Sequence, residues 1–271
     1  MSRPIDLSVM PSSVPTSHSL FPREHGAYAQ LGFPLLTGLA YGGGASLAGV
    51  SFALAAVLMF LIHEPVAVLA GIRGNRMVEE LAGRAKRRAF VLGVVGGVVG
   101  IVALATAPPS VRLVALAPLA GALILGPLAA TARLKNLPGE LLVVATFAAT
   151  LFPVAAAGGT PAARWTVAGG VWFVTFAMAT IAVHALKARI KQGSRGRGTL
   201  PAAYALAVLV LFGAAVLVAT GRVPTLAGLA VVPVSLVVVG ALLLRVHPRQ
   251  LRRFGWSLVA SNVVTLVLLV L

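Results

Sequence analysis

Three observations predict an all-α, polytopic membrane protein built as a bundle of nine transmembrane helices. Only 10% of the 271 residues are charged and 59% are hydrophobic, whereas soluble domains carry roughly 25% charged residues. Nine apolar runs of about 17 to 28 residues can be marked, each long enough for a hydrocarbon core of roughly 30 Å. The basic residues fall in alternate connections between those runs, which is the charge bias of a membrane protein.

Residues 1–21 are rich in Ser and Pro and hold the only aspartate, Asp6. They lack the apolar centre of a signal peptide, so an uncleaved, disordered tail is expected. Residues 22–271 then form a single transmembrane domain. The first span runs over about 26–41, with Pro34 as a kink, and Gly42-Gly43-Gly44 turns the chain. The second, about 45–72, is too long to cross upright, and Pro65 within it frees backbone carbonyls. Arg73 to Arg88 is the largest polar segment, and its middle is expected to lie at the interface as an amphipathic helix. The third span, about 89–107, places Gly93, Gly96, Gly97 and Gly100 where close helix packing needs small residues. Pro108-Pro109 separates it from the fourth, about 111–131. The fifth covers about 139–157 and the sixth about 165–187, which opens on Trp165 as an interfacial anchor. A basic glycine-rich loop precedes the seventh span, about 200–220. Gly221-Arg222 leads to the eighth, about 223–244, and a four-arginine loop to the ninth, about 254–271.

Nineteen of the 22 Lys and Arg lie in the tail and the second, fourth, sixth and eighth connections. Arg112, Arg164 and Arg222 make up the other side. The positive-inside bias puts the N-terminus in the cytoplasm and the C-terminus outside. The formal charge of +16 is therefore a topology signal, and a nucleic-acid partner is not expected. With no cysteine, disulfide and thiolate chemistry are excluded.

The scarce ionic groups gather on the cytoplasmic side of that topology. Arg23-Glu24-His25 stands at the mouth of the first span. His63-Glu64 lies about nine residues before Arg73, roughly 14 Å of helix inside the leaflet, where a carboxylate needs a cation, a proton or water. Glu140 opens the fifth span, and His184, Lys187 and Lys191 share one face at the end of the sixth. Together they predict a water-accessible polar cavity open to the cytoplasm. His25, His63 and Glu64 are the candidates for proton transfer, since His and desolvated Glu exchange protons most readily near neutrality. Glu24, Arg73, Arg76, Asn136, Glu140, His184, Lys187, Arg189, Lys191 and Asn262 are the candidates for substrate binding. The cations suit a phosphate or carboxylate. No His-x-x-x-His, Glu-x-x-His or cysteine motif is present, so no metal site is expected, and a phosphate-binding P-loop is absent.

Pro22-Arg23-Glu24-His25-Gly26-Ala27-Tyr28-Ala29, with Pro34 and Gly38 beyond, resembles the N-terminal signature of the YwiC-like bacterial membrane proteins. Lys187-Ala188-Arg189-Ile190-Lys191 and Arg133-Leu134-Lys135-Asn136 are similar to further segments of that family. The resemblance implies a multi-pass protein of the bacterial cytoplasmic membrane. A more distant likeness is to the UbiA-type intramembrane prenyltransferases, with nine helices, a cytoplasm-facing cavity and polar segments after the second and sixth spans. Those enzymes hold diphosphate through magnesium on aspartate-rich motifs, whereas the matching stretches here, Ile72 to Arg88 and Lys187 to Gly198, are basic and contain no aspartate. This likeness implies membrane lipids and an anionic, phosphorylated amphiphile as partners, gripped by cations directly. Proton-coupled transport of a small anion and a non-enzymatic assembly or cofactor-handling role stand as alternatives.

Overall fold

In the computed structural model the described residues are 20–21, 25–41, 46–130, 136–192, 199–244 and 250–271, less the side chains of 25, 130, 189–192 and 199–200. Among them the chain is helical throughout, in the order α1 (His25–Tyr41), α2 (Leu47–Leu69), α3 (Asn75–Thr106), α4 (Pro109–Ala130), α5 (Leu137–Ala149), α6 (Leu151–Ala157), α7 (Ala162–Gln192), α8 (Thr199–Ala219), α9 (Thr225–Leu229), α10 (Val232–Leu243) and α11 (Leu251–Val270). Eight apolar stretches are long enough to cross a membrane, with α5 and α6 forming one and α9 and α10 another. The 17 residues of α1 make a ninth, since about 25 Å of helix nearly spans the hydrocarbon core. Both two-piece crossings break close to a proline, Pro153 in α6 and Pro233 in α10. A proline ring supplies no N–H to the preceding turn but fits the start of a new helix.

The polar segment expected to lie at the interface as a separate helix is instead continuous with the third span. α3 runs 32 residues without a break. Leu81 to Arg88 holds Ala, Leu, Lys and Arg, all strong helix formers, and its one glycine, Gly83, costs only about 1 kcal/mol in a helix interior. Gly93 and Gly96 of α3 lie against Ile62, Leu58 and Met59 of α2, so the two helices pair as a hairpin along most of α2.

α1 occupies the middle of the bundle, packed against α2, α5, α6, α7 and α11. The core centres on Trp172 of α7, fully buried and stacked between Phe33 of α1 and Phe176, with centroids 5.5 and 5.2 Å away. A buried indole N–H needs an acceptor. Trp172 Nε1 donates to Thr37 Oγ1 at 2.9 Å, and that hydroxyl donates to the Phe33 carbonyl at 2.8 Å. α3, α4 and α8 leave large apolar side chains such as Ile101, Leu123 and Phe212 exposed, the outward face lipid requires.

The direction of the crossings can be read at one end. Arg164, at the start of α7, lies with its guanidinium 4.4 Å from the Tyr41 ring and donates to the Val270 carbonyl at 3.3 Å. The last residues of α1 and α11 therefore meet the first turn of α7. The opposite end gathers the starts of α1, α5 and α11 and the ends of α2 and α7. It carries the polar groups discussed next.

Candidate functional site

Ala53, Ala56 and Phe60 form the stripe of α2 that packs with Leu31 and Leu35 of α1. Glu64, four residues past Phe60, continues that stripe, and its side chain is 2% exposed. Such a carboxylate is costly without a counter-charge. The local fold supplies one. Gly71, at φ +73°, ends α2 in a left-handed conformation that a Cβ would oppose. Its N–H donates to the Val68 carbonyl, and that of Ile72 to Ala67, both at 3.0 Å. This double-bonded reversal folds the chain back on its helix, and Arg73 Nη2 comes 2.5 Å from Glu64 Oε2. Arg73 Nε is buried in the same place with no acceptor.

A second contact joins α5 to α7. Asn136 caps α5, its side-chain oxygen accepting from the Gly139 N–H at 2.8 Å, and Pro138 fits the first turn. Glu140 follows in that turn. Its Oε2 is 2.9 Å from Nε2 of His184, and both side chains are about one-third exposed. The two atoms are at ion-pair distance without the alignment of a hydrogen bond, so the buried Nε2 has no hydrogen-bond partner.

An aromatic junction lies beneath both contacts. Tyr28 of α1 meets Phe60 edge to face at 5.0 Å, and Phe60 meets Phe147 of α5 in the same manner at 5.8 Å. Phe60 is one helical turn from Glu64 and Phe147 two turns from Glu140, about 6 and 10 Å along the axes. The same contacts fix relative depth. His25 and His63 are each three residues from the Tyr28–Phe60 contact, and His25 and His184 are each twelve residues from the Thr37–Trp172 bond. Equal helical rise brings the backbones of the three histidines to one level.

The sequence-predicted residues thus divide. Glu64 with Arg73, and Glu140 with His184, are brought together in pairs, and His63 is half-buried beside Glu64. Arg76 is turned outward on α3, its side chain 85% exposed and its Nε 2.8 Å from Glu80. Asn136 serves the helix cap. Lys187 is exposed at the end of α7. Asn262 lies apart, buried on α11 with its Oδ1 unpartnered, about 18 Å deeper than His184 by helical rise from the Arg164–Val270 contact. Glu24 and the side chains of His25, Arg189 and Lys191 lie outside the described residues. The sequence reading missed Tyr28, Phe60 and Phe147. The available signal was an aromatic residue three and four positions before His63 and Glu64.

Among the described residues no three His, Asp or Glu side chains stand close enough to share a metal ion.

Among solved structures the chain is similar to a UbiA homolog from Archaeoglobus fulgidus, at TM-score 0.50 and 13% identity, over 91% of this chain and 97% of that one. The structure of a UbiA homolog from Archaeoglobus fulgidus bound to GPP and Mg2+ gives the same TM-score and coverage at 14% identity. At such identity the likeness establishes a UbiA-like fold. Among curated proteins none matches the chain. The YwiC-like protein model matches residues 21–156, which is half of the sequence and includes α1, both acid-bearing helix segments and the Arg73 turn. The chain belongs to the YwiC-like family.

Proposed function

We propose that this multi-pass membrane protein is a prenyltransferase-like binder of a phosphorylated amphiphile, with a cytoplasm-facing cavity at the Glu64 end. Arg73 carries the reading. One of its nitrogens neutralises Glu64, while Nε is a buried donor with no acceptor. An unmet donor of this kind costs about 1–3 kcal/mol, and a phosphate oxygen would satisfy it with a charge-assisted bond. Lys187, Arg189 and Lys191 add positive charge to the head group from α7. The Tyr28–Phe60–Phe147 junction gives an apolar surface for the first part of the tail, and His25 and His63 are the candidates for moving a proton.

The UbiA homolog similar in fold was bound to GPP and Mg2+. The residues here do not fit that ion. The stretches after α2 and α7 contain no aspartate, one Glu64 oxygen is committed to Arg73, and one Glu140 oxygen lies against His184. The head group is therefore held by cations without a bridging metal. The Phe33–Trp172–Phe176 stack fills the bundle below this level, which favours a one-sided site over a path for a transported anion.

The test is equilibrium binding of GPP to the purified chain in lipid nanodiscs, with and without a chelator. Binding that survives chelation and falls about tenfold in Arg73→Gln is expected, the loss of one charge-assisted hydrogen bond. Binding that requires Mg2+, or that ignores Arg73→Gln and Lys187→Gln together, would overturn it.

A further inference from the structure

A different feature lies on the lipid-facing side. α10 and α11 pack against each other, and between them runs an open groove of about 310 Å³. Its floor is Ala241 and Phe254, both buried. Gly240 leaves it unfilled, since a side chain added there meets no atom within 4 Å. Leu236 and Leu244 flank it, 63% and 82% exposed, so the groove looks out into the bilayer. Arg253 lines its mouth, with Ser257 one turn further along α11. Trp256 beside them is 65% exposed, and a lipid-facing tryptophan near a helix start marks the head-group level.

From this arrangement we infer that the α10–α11 groove holds one anionic phospholipid, an acyl chain lying over Gly240 and the phosphate against Arg253. The physics assigns separate tasks to the two parts. Lipid tails are as apolar as leucine, so burying one in protein instead of bilayer yields little beyond packing. The groove therefore selects for a chain by shape alone. Discrimination between lipids falls to the guanidinium, whose planar fork matches phosphate and whose charge favours a net-negative head group. A zwitterionic lipid brings its own ammonium and gains less.

The measurement is native mass spectrometry of the full chain after exchange into phosphatidylglycerol or phosphatidylcholine, with Arg222→Gln at the opposite end as the control substitution. The wild type and the control should retain one phosphatidylglycerol in preference to phosphatidylcholine. Arg253→Gln should weaken that preference about tenfold, and Gly240→Phe should abolish retention of both lipids. Should either variant fail to fold, the wild type decides by itself, because phosphatidylglycerol must raise its thermal midpoint above that in phosphatidylcholine. Equal retention of the two lipids, unchanged retention in both variants, or a second copy of the chain in place of lipid would each overturn the assignment.

Discussion

Arg73 reaches back across nine residues to the carboxylate of Glu64, 2.5 Å away, from the far side of the Gly71 reversal. The pair is lopsided, with Glu64 2% and Arg73 24% exposed. Breaking a buried pair by removing one member costs about 3–5 kcal/mol, most when the stranded charge is the deeper one. Arg73→Met should therefore destabilise the protein by about 3 kcal/mol, and Glu64→Gln by less, because Arg73 can turn toward water. The double variant should be more stable than the sum of the two losses implies. Thermal unfolding in detergent, arranged as a double-mutant cycle, measures this coupling, and strict additivity would refute it.

Thr37 and Trp172 are coupled in the same way by a neutral bond. Thr37→Val keeps the shape but removes the acceptor of the indole N–H, at a cost of about 1–2 kcal/mol. Thr37→Ser retains the hydroxyl and should stay within about 0.5 kcal/mol of wild type. Near-ultraviolet circular dichroism of the tryptophan band during unfolding reports both.

Two glycines give opposite expectations from their surroundings. A Cβ on Gly38 would lie 3.0 Å from Val154 and 3.1 Å from the Leu151 carbonyl, where α1 crosses α6. Gly38→Leu should cost at least about 1–3 kcal/mol of overpacking and lower the yield of folded protein. Gly97 has open space at that position, and Gly97→Leu should unfold at the wild-type temperature. Size-exclusion profiles and melting curves of the two variants provide the comparison.

The Arg76–Glu80 pair is an exposed i, i+4 contact on α3. Pairs of this kind contribute a few tenths of a kcal/mol at most. Arg76→Gln should leave both the melting temperature and GPP binding unchanged. A tenfold loss of binding would move Arg76 into the site.

Much of the fold was legible because lipid imposes a simple grammar: apolar lengths mark crossings, and cations mark the connections. The sequence reading fails at α3, where the middle of the Arg73–Arg88 stretch is expected as a separate interfacial helix and instead continues into the third span. Charge sets where the membrane ends, but it does not end a helix. The acids and histidines of the site could be identified singly, since a carboxylate inside a span is conspicuous at Glu64. Their pairing could not. The contact of Glu140 with His184 depends on how α5 lies against α7, and the bond of Trp172 to Thr37 spans 135 residues. The groove beside Gly240 likewise exists only through the packing of α10 on α11.

The aromatic rings around Trp172 have an electrical consequence. A membrane potential acts on any continuous wet column through a protein, and a bundle with several ionic groups at one face risks becoming a leak. Three stacked rings and a satisfied indole leave hydrated ions no foothold at that depth, so the voltage drops across a dry partition. The end that carries Glu64, Arg73, Glu140 and His184 can then be polar without opening a conductive path through the bundle.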